Sequence, residues 1–261
     1  MAFWREKKKK SRIRATPLVN FPGSHNDCEL FQIFKNHKGR TIHKWVHYFE
    51  IYDTHFRRFR DKEVHILEIG IFKGGSLQMW KKYFGDRVKI YGVDVKPDCK
   101  RFEEENIEIF IGDQNDREFL RELIGKVPTL DIVIDDGGHT SKQQITTFEE
   151  VYPHISPTGV YLVEDTHTNY WPKYNEGVKE SFIHYARGLI DLLHAWHVDK
   201  EHHYRYALPH NMREGARDVP DFTRQTRSIN FYDSVVVFQK HPVVDEPYHC
   251  LGGENEQDSD Q

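Results

Sequence analysis

The sequence has few cysteines: Cys28, Cys99 and Cys250 among 261 residues, with no CxxC pair. An odd count at wide spacing argues against a zinc ribbon or a disulfide framework, and is read as a reducing, cytoplasmic setting. No apolar run approaches the roughly 20 residues that cross a bilayer. Lys7 to Lys10 lead into no apolar stretch, so no secretory signal is read. A basic excess is missing as well. Lys and Arg number 37 against 41 Asp and Glu, a net charge of −4, so general nucleic-acid binding by counterion release is not expected. The dinucleotide fingerprint Gly-x-Gly-x-x-Gly is also absent.

What is present fits a wet-surfaced globular chain: 38% hydrophobic, 30% charged and 13% aromatic residues, with 17 histidines that leave room for a metal-linked function. Residues 1–20 are basic and read as a solvated tail; 241–261 are acidic and read as disordered. Residues 21–62 are expected to form a helical cap, with an amphipathic helix over 42–60 whose aromatic stripe packs into the core. From 63 to 240 strand and helix patterns alternate. Strands are expected near 64–70, 89–94, 107–113, 130–136 and 159–164, and helices near 75–84, 97–104, 116–125, 141–152 and 177–196. Asp116 is a candidate N-cap, and Pro157-Thr158-Gly159 a turn into the fifth strand. Residues 228–238 read as two antiparallel strands turning near Tyr232-Asp233. The near-continuous apolar strands and this alternation predict a doubly wound α/β, Rossmann-like, mostly parallel sheet, whose ligand sits at the strands' carboxyl ends.

Those ends carry the chemistry. The first strand gives Glu68-Ile69-Gly70, then Gly74-Gly75-Ser76 opening a helix; Gly lets the chain turn sharply and approach a ligand. The second ends at Asp94, near the distance expected of an acid that accepts both hydroxyls of a ribose. The third ends at Asp113-Gln114, suited to an adenine edge, the fourth at Asp135-Asp136-Gly137-Gly138-His139, the fifth at Glu164-Asp165-Thr166-His167. Any single Asp after a strand also serves as a helix cap. Five acidic strand ends brought together repel unless a cation offsets them. Asp136, Glu164 and Asp165 are therefore read as a hard-oxygen site for Mg²⁺ or a similar ion. His139 beside them is a candidate general base or a structural histidine; His167 is a weaker candidate. Tyr170-Trp171-Pro172 is read as an apolar wall or as packing. A Glu beside the glycine turn does not favour phosphate but suits a cationic ligand, and S-adenosylmethionine has a sulfonium, an ammonium and no phosphate.

At these residues the chain resembles the class I S-adenosylmethionine-dependent methyltransferases. More narrowly it is similar to macrolide sugar O-methyltransferases of the mycinamicin and tylosin type and their cephalosporin-hydroxylase-like relatives. The resemblance spans about residues 42–240. It rests on Leu67-Glu68-Ile69-Gly70 with Gly74-Gly75-Ser76-Leu77, Gly92-Val93-Asp94, Ile111-Gly112-Asp113-Gln114, Ile134 to His139, Val163 to Thr168 and Tyr232-Asp233-Ser234-Val235. It implies a seven-stranded sheet with a reversed last strand, Mg²⁺ on the acids matching Asp136, Glu164 and Asp165, and His139 as general base. The family often has an Asp pair where this chain has Glu164-Asp165.

The expectation is thus an O-methyltransferase acting on a hydroxyl of a sugar or glycosylated small molecule. Glu68, Gly70, Gly74, Ser76, Asp94, Asp113, Gln114 and Asp135 would hold S-adenosylmethionine, and Asp136 and His139 would serve catalysis. Residues 168–227, rich in Tyr, Trp and His, would shape the acceptor pocket, and the aromatic N-terminal helix would suit a homo-oligomer interface. Two alternatives stay open: an oxidative, hydroxylase-like enzyme, which needs a second histidine near His139, and a non-catalytic adenosyl-binding module.

Overall fold

Every second residue of the central strands is apolar on one face and its neighbour is apolar on the other, so the sheet is covered on both sides. The computed structural model describes residues 28–175, 177–197 and 219–242; the basic N-terminal tail, most of the acidic C-terminal tail, and His202, His203, Tyr204, Tyr206 and His210 lie outside them. Seven strands, β1 (Val64–Ile69), β2 (Val88–Asp94), β3 (Ile107–Ile111), β4 (Leu130–Asp135), β5 (Ile155–Val163), β6 (Thr226–Tyr232) and β7 (Val235–Lys240), form one sheet in the order β3-β2-β1-β4-β5-β7-β6. β1 to β5 pair in parallel, and β7 lies antiparallel between β5 and β6. This is the sheet with a reversed last strand that the resemblance implied.

Helices α1 (Glu29–Lys35), α2 (Tyr48–Phe56) and α3 (Gly75–Phe84) cover one face. There Tyr48, Phe49, Tyr52, Phe56 and Trp80 pack on Ile66, Ile90, Ile132 and Val237. Helices α4 (Arg117–Lys126), α5 (Ser141–Val151), α6 (Phe182–Leu193) and α7 (Asp221–Gln225) lie on the other side. Leu67, Val133, Tyr161 and Phe238 meet Phe148 and Phe182 there. Asp116 caps α4 through Glu118 and Phe119 amides, and Thr140 with Gln143 closes a capping box on α5.

Several expected boundaries move. Residues 42–47 are not helical; α2 starts at Tyr48. The expected helix over 97–104 is a 3-10 turn, Pro97–Phe102, and the one over 177–196 begins at Phe182, where Ser181 caps the His184 amide. Pro157-Thr158-Gly159 is no turn before a strand but an irregularity inside β5, where the register with β4 slips between Leu130↔Ile155 and Ile132↔Val160. The terminal turn falls one residue later than expected, at Asp233-Ser234, with Ser234 at φ 65°.

The sheet's antiparallel edge is keyed to α2 through His55, which is 4% exposed. Its Nε2 lies 2.9 Å from the Tyr232 hydroxyl, and its Nδ1 2.6 Å from Gln239 Nε2. Burial first, and Arg58 second, push its pKa down to about 4. The unfolded chain, with histidine near 6.5, then binds more protons between those values, so stability falls as pH drops through that window. Urea unfolding is expected to lose about 2 kcal/mol from this residue between pH 7.5 and pH 5, a slope that His55→Gln removes.

Candidate functional site

The carboxyl ends of β1 to β5 open into one cavity of about 530 Å³. Gly70–Phe72 line it after β1, Asp94–Lys96 after β2, Gly112–Gln114 after β3, Asp136–His139 after β4 and Glu164–Asp165 after β5, and Thr41–Trp45 close it from the N-terminal side. Gly70 is demanded by geometry. Its φ is +87°, and a Cβ there would stand 2.0 Å from the Asp136 carbonyl oxygen.

The residues expected to hold a cofactor fall into two sets. Gly70, Ser76, Asp94, Asp113 and Gln114 line the cavity. Asp94 closes the turn: its oxygens accept from the Phe72 and Lys96 amides. Gln114 spends its amide inward, on Asp135 Oδ1, the Thr147 hydroxyl and the Gly138 amide. Glu68, Gly74 and Asp135 do not line the cavity. Glu68 is fully buried and accepts from the Ser76 hydroxyl at 2.8 Å. Gly74 is the left-handed N-cap of α3, against Phe102. Asp135, 1% exposed, is held by Gln114 and lies 3.4 Å from the Tyr161 hydroxyl.

At the other end Asp136, His139 and Asp165 each present one ligand atom, all within 4.8 Å of one another. His139 Nε2 is 3.6 Å from Asp165 Oδ2 and 3.9 Å from Asp136 Oδ1. His139 (φ 60°) and Asp165 (φ 53°) are both left-handed, a conformation that costs L-residues energy and that the surrounding packing must enforce. Two carboxylate oxygens and an imidazole nitrogen turned to one point fit a hard divalent ion. Burial lowers the His139 pKa against the pull of Asp165, which favours a neutral imidazole; its Nδ1 is buried and has no hydrogen-bond partner among the described residues. The cluster contains one histidine. His167 turns its Nδ1, 4.0 Å from Asp165 Oδ1, to the Ser234 hydroxyl, and among the described residues no second histidine joins the cluster.

Glu164, expected as a third ligand, lines the same cavity but is paired with Lys44. Lys44 Nζ donates to both its oxygens at 2.9 and 3.0 Å, and the Tyr52 hydroxyl donates to Oε1 at 2.7 Å. Lys44 also reaches Asp136 Oδ2 at 2.6 Å. Burial, then the Asp136 charge, drives the Glu164 carboxyl above its usual range. Desolvation opposes the Lys44 charge, but Asp136, Glu164 and Glu68 outweigh it and hold the ammonium above its ordinary value.

The sequence reading missed Lys44, Tyr48 and Tyr52. Tyr48 donates to Asp165 Oδ1 at 2.6 Å, so α2 steadies both acids of the β5 end from tyrosines one turn apart. A signal was there. Positions 44, 48, 52 and 56 share a four-residue stripe, and a lysine and two tyrosines on a buried stripe need polar partners.

The aromatic rim is exposed. Trp45 (52%), Trp171 (49%) and Tyr170 (69%) stand open, and the His167 ring lies between the two tryptophans, 5.8 Å from Trp45 and 5.0 Å from Trp171.

Comparison with known proteins bears on the fold and on what the chain is similar to. Residues 67–166 match the family model of a methyltransferase domain. The 8-demethyl-8-alpha-L-rhamnosyl tetracenomycin-C 2'-O-methyltransferase of Streptomyces olivaceus is 35% identical over 206 residues, 76% of this chain and 51% of that protein. Demethylmacrocin O-methyltransferase of Streptomyces fradiae is 45% identical over 139 residues, 49% of this chain and 35% of that protein. Among solved structures, the MycE methyltransferase of the mycinamycin biosynthetic pathway, in complex with Mg, SAH and mycinamycin VI, superposes with a TM-score of 0.65 at 30% identity, covering 82% of this chain and 53% of that one. The chain spans about half or less of the length of these relatives. Over residues 67–166 the chain matches a methyltransferase domain, and in fold and sequence it is similar to the macrolide and tetracenomycin sugar O-methyltransferases.

Proposed function

We propose that this domain transfers a methyl group from S-adenosylmethionine to a hydroxyl of a sugar or glycosylated small molecule, assisted by Mg²⁺. The carrying observation is one cavity with the Gly70 turn and Asp94 at one end and the Asp136–His139–Asp165 cluster at the other. Gly70 and Asp94 would shape the adenosyl end, with Asp94 as the acceptor for the ribose hydroxyls, and S-adenosylmethionine would supply the methyl on a sulfonium. Asp136 and Asp165, with His139 or Glu164, would hold Mg²⁺, whose bound charge lowers the pKa of an acceptor hydroxyl. His139, neutral by burial, accepts the hydroxyl proton at Nε2. The acids and the strand ends orient the two reactants, and in-line positioning supplies much of the acceleration.

The test is calorimetric titration with S-adenosylmethionine, with and without Mg²⁺. Micromolar binding supports the reading, and no binding in either condition sinks it. A glycoside acceptor would rest against the Trp45–His167–Trp171 rim, which continues outward from the metal-ligand cluster. Trp171 does not line the cavity, so Trp171→Ala is expected to raise the acceptor KM about 2- to 10-fold and to leave S-adenosylmethionine affinity unchanged. An unchanged KM would place the acceptor elsewhere.

A further inference from the structure

The ammonium of Lys44 is deeply embedded for a lysine that belongs to no regular element. Nζ lies 2.6 Å from Asp136 Oδ2, 2.9 Å from Glu164 Oε1 and 3.4 Å from Glu68 Oε1, with the Lys44 side chain 2% exposed. Glu68 Oε1 is buried and makes no hydrogen bond; among the described residues its one ion pair is with Lys44. Three carboxylates from the ends of β1, β4 and β5 therefore share a single positive charge. That deficit is of the kind a divalent ion makes good. Asp136 faces both ways: Oδ2 meets Lys44, and Oδ1 faces His139.

We propose that Lys44 is a tethered counter-cation that competes with the divalent ion for Asp136 and Glu164. With Lys44 seated, an ion entering the cluster finds Asp136 Oδ1, His139 and Asp165. With Lys44 withdrawn, Glu164 is freed to join Asp136 and Asp165, the set expected from the sequence. Lys44 sits on the Thr41–Trp45 segment, which lines the cavity and has no helix or strand to unwind. Metal entry and movement of this segment are thereby coupled through one charge. The inference rests on the divalent-ion reading of the cluster.

The experiment is a Mn²⁺ titration of the full chain and of Lys44→Met, following free Mn²⁺ by electron paramagnetic resonance. Lys44→Met is expected to bind Mn²⁺ at least tenfold more tightly. Its melting temperature, lowered in chelator, should rise with Mn²⁺ by more than that of the parent protein. Equal or weaker affinity in Lys44→Met overturns the role of Lys44 and leaves the divalent-ion reading standing. Absence of Mn²⁺ binding in both proteins overturns both. A second measurement needs no variant: acylation of Lys44 by an amine-reactive reagent, read by mass spectrometry, is expected to accelerate with saturating Mn²⁺. Labelling that Mn²⁺ leaves unchanged overturns the competition.

Discussion

Replacing His139 with Ala is expected to cut turnover about 10²- to 10⁴-fold, the usual contribution of a placed general base, while S-adenosylmethionine affinity holds. Among the described residues the imidazole makes no hydrogen bond. Its Nδ1 has no hydrogen-bond partner among the described residues, and its Nε2 stands 3.6 and 3.9 Å from two carboxylates rather than bonded to either. A purely structural histidine would spend its nitrogens on such partners. Desolvation keeps it neutral, so it is ready to take a proton. The strained backbone at φ 60° aims it at the cavity, and strain of this kind persists where packing holds it for function. The same nitrogen also belongs to the candidate ligand cluster, and the variant separates the two roles. A base leaves Mn²⁺ affinity intact when removed; a ligand takes it away. Full activity in His139→Ala would remove the residue from the mechanism altogether.

The parts of this picture that were legible in the sequence are those with local causes. Apolar runs such as Ile132-Val133-Ile134 mark strands buried on both faces, and the structure pairs them as a parallel sheet. Asp116 caps α4 because its side chain needs only the next two or three amides. The acidic strand ends were visible because a doubly wound sheet brings such ends together whatever lies between. What escaped depends on distant partners. Residues 42–47 have helical spacing, yet Lys44 is bound to Asp136 and Glu164, 92 and 120 residues away. Periodicity carries no information about such bonds, and tertiary pairing overrides it. Glu164 and Asp165 are adjacent in sequence and on opposite duties in the structure. The left-handed φ of Asp165 turns their side chains apart, Glu164 to Lys44 and Asp165 to His139 and Tyr48. Gln114, expected at an adenine edge, lines the cavity and also braces Asp135 and the Gly138 amide, a second duty set by the β4 loop beside it.

Asp136→Asn is expected to weaken divalent-ion binding by about 100-fold or more, since losing even an outer-shell partner of a metal costs 10- to 100-fold, and to cut turnover by a comparable factor. It should not cost stability in chelator. Desolvation raises the Asp136 carboxyl pKa, Lys44 pulls it down, and Glu68 and Asp165 push it up again. The ionised form is thus held against its surroundings, and a neutral amide of the same shape relieves repulsion while its oxygen still accepts from Lys44. In chelator the variant should therefore melt at or above the temperature of the parent protein; with Mg²⁺ the parent should rise and the variant stay level, because only an ion bound to the native state stabilises it. A variant that melts lower in chelator yet still responds to Mg²⁺ would move the ion away from Asp136. The expected opposite signs follow from one fact: acids gathered at the ends of β1, β4 and β5 cost the empty fold something, and proteins retain such a cost where a site needs the charge.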